Sequence, residues 1–231
     1  MNPVKDYNDI YTDIKKICEE HGTVTVGILI ADGYQQDARE YILHYANMFD
    51  RHSDGYIDFF IPGYYINASS EQEAKRIRSF HPNADIRIES NKYSDVIFLE
   101  RTGLHYGYDQ GLFFRFLDNI HDRMGIAITY NPMLILVEVN MDMCRGELEF
   151  QKKLVIELDS NSDGNIRRAG MLFEDIFEIA KKNINLYKFR DGIRLRYLKK
   201  NCIDLISDLL VRDYGGALKV LGNGVASYRL Q

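Results

Sequence analysis

Residues 23–31, TVTVGILIA, constrain the fold more than any other segment. Branched β-carbons lose side-chain freedom in a helix and pack well on a pleated surface. In a half-exposed strand, polar residues would alternate with apolar ones. A run without polar interruption predicts a strand covered on both faces, as at the centre of an α/β sheet.

The flanking segments supply the covering layers. Val4, Tyr7, Ile10, Tyr11, Ile14, Ile17 and Cys18 recur at helical spacing, so 4–21 reads as a helix ended by Gly22. After the loop DGYQQ (32–36), Asp37 starts a second helix with a stripe of Ile42, Tyr45, Ala46 and Phe49. It is broken by SDG at 53–55. YIDFFIPGYY (56–65) reads as a second strand, closed by Pro62-Gly63, which completes a βαβ unit. Further on, 71–80 reads as a short helix, 84–90 and 94–100 as strands, and RTGLHYGYDQG (101–111) as a loop. A helix is expected over 112–125, a strand over 126–139 interrupted at Asn131-Pro132, a hairpin loop over NMDMCRGE and a strand over 148–159. Helices are expected at 166–183 and 192–213, with 222–231 as a flexible tail.

A chain of 231 residues suits one elaborated domain. The formal net charge of -5 gives no broad positive field, which argues against a nucleic-acid partner. Cys18, Cys144 and Cys202 form neither a CxxC pair nor a zinc spacing, and such scattered thiols suit a reducing compartment. The polar start MNPVKDYNDIYTDIKK is not a signal peptide, and the apolar runs fall short of a membrane span. A cytoplasmic location without membrane attachment is therefore expected.

The order of these elements resembles the thioredoxin-like superfamily over about 23–183. TVTVGILIA takes the place of the first strand and ADGYQQDA that of the active-site loop; YIDFFIPGY is the second strand, NPMLILVEV the proline strand and KKLVIELD the last. The resemblance implies a mixed sheet flanked by helices over 1–183, an α+β insert at about 66–111 and a helical C-terminal extension over 184–231. It places the two redox cysteines of that family near Tyr34 and Asp37, neither of which forms a thiolate or a disulfide. It also implies that Pro132 is the family's cis-proline, the alternative being an ordinary trans proline before a strand.

Several groups are candidates for function. Asp32, Tyr34, Gln35, Gln36, Asp37 and Arg39 follow the central strand, where α/β sheets often bind ligands, and Gly33 permits close approach of the backbone. His105, Tyr106, Tyr108 and Asp109 combine an imidazole, phenols and a carboxylate, suited to acid–base chemistry or to a contact surface. Asp159–Ile166 matches the first eight positions of a calcium loop, but position 12 is Gly170, so the segment reads as a polar turn. The looser match at 50–57 has Ile61 at position 12 and reads as a helix-to-strand turn. The basic and aromatic stretch 187–200 reads as a solvated helix face. No metal or cofactor is expected. The resulting expectation is a binding or adaptor protein without catalysis or dithiol redox activity. It would engage a protein or a small anionic ligand through Tyr34, Gln35, Gln36, Asp37, Arg39, His105, Tyr106, Asp109 and Pro132. The alternative is a hydrolase acting on a phosphorylated or nucleotide-like substrate through residues 100–109.

Overall fold

The computed structural model describes residues 1–41, 43–53, 57–82, 84–88, 96–126, 128, 131–142, 146–158, 169–181, 217–219 and 227–230. The expected helix over 192–213, the basic stretch 187–200 and the calcium-like segment 159–166 lie outside them, as does 54–56 of the looser match.

The chain opens with a short strand, β1 (Asn2–Val4), so Val4 belongs to a sheet rather than to the first helix. Helix α1 (Tyr7–His21) starts after Asp6, whose carboxylate accepts from the N–H groups of Asn8 and Asp9. It buries Tyr7, Ile10, Ile14 and Cys18. The expected central strand is β2 (Val24–Ile30), with Thr25 through Ala31 all buried. The segment expected as one helix from Asp37 is broken into α2 (Gln36–Tyr41), a 3-10 turn (Leu43–Tyr45) and α3 (Ala46–Ser53). Asp37 therefore lies within the first turn of α2 rather than starting it.

The segment 56–65 serves two sheets. β3 (Asp58–Pro62) belongs to one and β4 (Tyr64–Ala68) to the other, with Gly63 at φ 88° between them. A Cβ at Gly63 would come within 2.8 Å of the Phe113 Cβ, so both backbone angle and space require glycine here. Then follow α4 (Glu71–Phe80), β5 (Ile86–Ile88), β6 (Val96–Leu99) and β7 (Leu104–Tyr108). The segment 101–111, expected as a loop, thus holds strand β7 and the start of a helix at Gln110. Helix α5 (Gln110–Met124), strands β8 (Met133–Asp142) and β9 (Glu147–Glu157) and helix α6 (Ala169–Ala180) complete the central region. Pairing of β8 with β9 runs out to Asp142 and Glu147, so the expected hairpin loop is much shorter. Two strands follow, β10 (Ala217–Lys219) and β11 (Ser227–Leu230), and the second corrects the expectation of a flexible tail over 222–231.

The larger sheet has the order β1-β3-β2-β8-β9-β11-β10. β1, β3 and β2 are parallel, and the remaining neighbours are antiparallel. Successive side chains of a strand point to opposite faces, so the unbroken burial of β2 means that both faces are covered. Packing on this sheet are α1, which also meets α5, and α3, which also meets α6. Phe49 of α3 joins Phe59, Phe173 and Phe177 with ring centroids 4.5–5.3 Å away. The smaller sheet, β5-β4-β7-β6, is also mixed, with β4 parallel to β5 and antiparallel to β7. The protein is a mixed α/β structure, and no helix among the described residues is long and apolar enough to cross a membrane. No cis peptide bond occurs among the described residues, so Asn131–Pro132 is trans.

Candidate functional site

At the C-terminal end of β2 the chain turns through Asp32, whose carboxylate gathers three donors. The Tyr34 N–H (2.9 Å) and the Tyr108 hydroxyl (2.9 Å) donate to Oδ1, and Gln110 Nε2 (3.2 Å) donates to Oδ2. Two of these donors come from the β7–α5 junction, more than seventy residues along the chain. Gly33 makes the approach possible, because a Cβ there would lie 2.6 Å from the Tyr108 ring. Burial, and then the hydrogen bond to Asp32, push the Tyr108 phenol far above its usual range. Tyr108 is therefore a fixed donor at neutral pH and not a base.

Tyr34 stands edge-on to Tyr108, with centroids 5.3 Å apart, yet its side chain remains 53% exposed. Tyr108 in turn meets Phe113 at 5.8 Å, and Phe113 meets Phe114, which is 51% exposed. A connected series of rings thus runs through the interior and emerges at both ends. Gln35, Gln36, Asp37 and Arg39 continue from Tyr34 into α2, with Gln36 and Arg39 exposed. Pro132 is buried. Ile30 pairs with Met133, so Ala31 and Pro132 follow side by side beyond the paired ends of β2 and β8.

The 105–109 candidates divide. Asp109 Oδ1 accepts from the Leu112 N–H (3.0 Å) and caps α5, while Oδ2 holds Arg87 Nη1 at 2.6 Å. Burial opposes its charge, but Arg87 and the helix N–H groups outweigh that, and its pKa falls below the ordinary value. A carboxylate so engaged is not poised as a general acid at neutral pH. His105 is exposed on β7, its ring 4.9 Å from that of Phe98. Tyr106 is buried, and its hydroxyl lies 3.4 Å from Thr102 Oγ1. Strand alternation sets His105 on the face of β7 opposite Tyr106 and Tyr108.

The structure therefore brings Tyr34, Tyr108 and the Pro132 segment to one end of β2, and gives Asp109 a structural role beside it. Sequence reasoning missed Arg87, which lies over the Tyr65 ring at 4.1 Å and bridges Asp85 and Asp109. It also missed Gln110. Neither belongs to a motif, and only the three-dimensional pairing selects them.

Comparison with known proteins gives no match: no protein-family model, no curated protein and no solved structure aligns significantly with this chain.

Proposed function

We propose that this chain is a redox-inactive thioredoxin-like binding protein that recognises a protein partner through the Tyr34 end of its central strand. The observation that carries the reading is the exposed Tyr34 ring on a loop pinned by the Asp32–Tyr108–Gln110 hydrogen bonds. A rigid aromatic with a polar tip provides contact area at little cost in conformational entropy, a common trait of interface anchors. The thioredoxin-like part of the reading draws support from the strand order β1-β3-β2-β8-β9 and its senses, and the redox-inactive part from the absence of cysteine near Tyr34 and Asp37. A protein partner is favoured over a small anion because α2 has only six residues, and the dipole of so short a helix is a weak attractor. The hydrolase alternative has less support, because both oxygens of Asp109 are already engaged.

The test is site-specific photocrosslinking in native lysate, with a benzophenone side chain at position 34 and, as control, at the exposed position Glu19. A discrete crosslinked protein from position 34 alone, lost in competition with unlabelled wild type but retained against the Tyr34→Ala, Asp37→Ala variant, is expected. Equal crosslinking from both positions would overturn the reading.

A further inference from the structure

The outer face of the smaller sheet carries one row of side chains that crosses all four strands. Arg87 of β5 pairs with Asn67 of β4, Asn67 with His105 of β7, and His105 with Phe98 of β6. Cross-strand partners share a face, and neighbouring strands stand about 4.8 Å apart, so the four form a line about 14 Å long. His105 is exposed and Phe98 is 44% exposed, so this face reaches solvent. The opposite face, with Ile66, Tyr106 and Tyr108, belongs to the core.

Asn67 stands apart within the row. It is 8% exposed, and its Oδ1 is, among the described residues, the one buried side-chain polar atom without a hydrogen-bond partner. Buried polar atoms are paired in the large majority of cases, because an unpaired one forfeits its hydration. Both neighbours are turned elsewhere. Arg87 holds Asp85 and Asp109 and lies over the Tyr65 ring at 4.1 Å. The His105 ring lies against that of Phe98, with centroids 4.9 Å apart. An oxygen needs a donor, and the guanidinium beside it disfavours a cation. Arg87 is itself neutralised by two carboxylates, so an anion gains little, and a neutral N–H suits the place best. A water would satisfy the oxygen but would leave the exposed Phe98 ring uncovered. That ring offers a flat apolar surface on which another ring can stack.

We propose that this row binds a single amino-substituted heteroaromatic base of the adenine kind. The base would stack on Phe98, cross His105 and direct its exocyclic N–H to Asn67 Oδ1. Phe98 and Asn67 are two strand spacings apart, about 10 Å, which favours a bicyclic purine over a single ring and leaves room for one base. The net charge of -5 favours a free nucleoside over a nucleic-acid strand. The inference is independent of the Tyr34 reading.

The experiment is a titration of the isotopically labelled full chain, followed by amide NMR, with adenosine, purine riboside (which lacks the amino group) and an adenosine hexanucleotide. Saturable shifts confined to residues 65–67, 87, 97–98 and 105–107 are expected from adenosine, with purine riboside weaker by about tenfold or more. Asn67→Ala should bring the two nucleosides to within about twofold of each other, and Phe98→Ala should weaken adenosine by about tenfold. Equal binding of the two nucleosides to wild type would overturn the proposal. So would adenosine shifts that do not saturate by about 10 mM, or unchanged affinity in Phe98→Ala. A hexanucleotide that binds more tightly than its six bases account for would overturn the commitment to a single base. If Asn67→Ala does not fold, the exposed Phe98 variant and the comparison of probes on wild type decide the question.

Discussion

Tyr108 joins more of the molecule than any other single side chain at the candidate site. Its hydroxyl donates to Asp32, its ring supports Tyr34 and Phe113, and its bulk requires Gly33. Tyr108→Phe removes one donor from a carboxylate that keeps two others. A hydrogen bond to a charged group contributes about 1.5–3 kcal/mol, and solvent access at Asp32 places the expected loss at the lower end, about 1.5 kcal/mol. The ring contacts survive in phenylalanine, so the effect should be local. Hydrogen exchange of the Tyr34 amide is expected to accelerate while the β2 amides keep their protection. Unaltered exchange at Tyr34 would mean that the loop is held by its own turn geometry. Little of this was legible beforehand. Asp32, Gly33 and Tyr34 stood out because they follow a buried strand, but Tyr108 lies 76 residues from Asp32, and no local pattern encodes so distant a contact.

Elements were legible where one signal dominated. The β-branched run gave β2 to within a residue, and the short helix expected over 71–80 is α4, its start capped by the Ser70 hydroxyl, which accepts from the Glu73 N–H at 3.2 Å. β7 was not legible, because Gly103 and Gly107 made its segment read as a loop. In the sheet, Gly107 is needed because the Tyr65 ring occupies the place of its side chain. Asp109, where this strand hands over to α5, does two jobs that mutation can separate. Asp109→Asn keeps a good N-cap but loses the charge facing Arg87, whereas Asp109→Ala loses both, the cap alone being worth about 0.5–2 kcal/mol. The alanine variant is therefore expected to have the lower melting temperature. Because the folded pKa of Asp109 is depressed, its contribution is present above the unfolded value of 3.8 and is lost as pH falls through the folded one. Thermal melts from neutral to acid pH should show a shallower decline for Asp109→Asn than for wild type. Parallel curves would show that the charge contributes nothing to stability.

At the scale of the whole molecule, the outer side of β9 explains why the far end of the chain returns to the sheet. From Glu147 to Lys153 this strand carries Glu147, Glu149, Lys152 and Lys153, the kind of charge that discourages pairing with another chain. From Leu154 to Ile156 it is apolar, and here β11 pairs with it, from Leu230 opposite Leu154 to Ser227 opposite Glu157. An unpaired apolar edge is a template for association, so covering this half protects the protein as well as extending the sheet. The sequence hid this, since GNGVASYRLQ is rich in glycine and polar residues and reads as a tail, and its strand exists only because a partner edge awaits it. Ending the chain after residue 216 is expected to leave β2, β3 and β8 protected in hydrogen exchange while amides at 154–157 lose protection. The shortened protein should also self-associate in sedimentation, and replacing Val155 by lysine should suppress that association. Retained protection at 154–157 in the shortened monomer would mean that β11 does not cover this edge in solution.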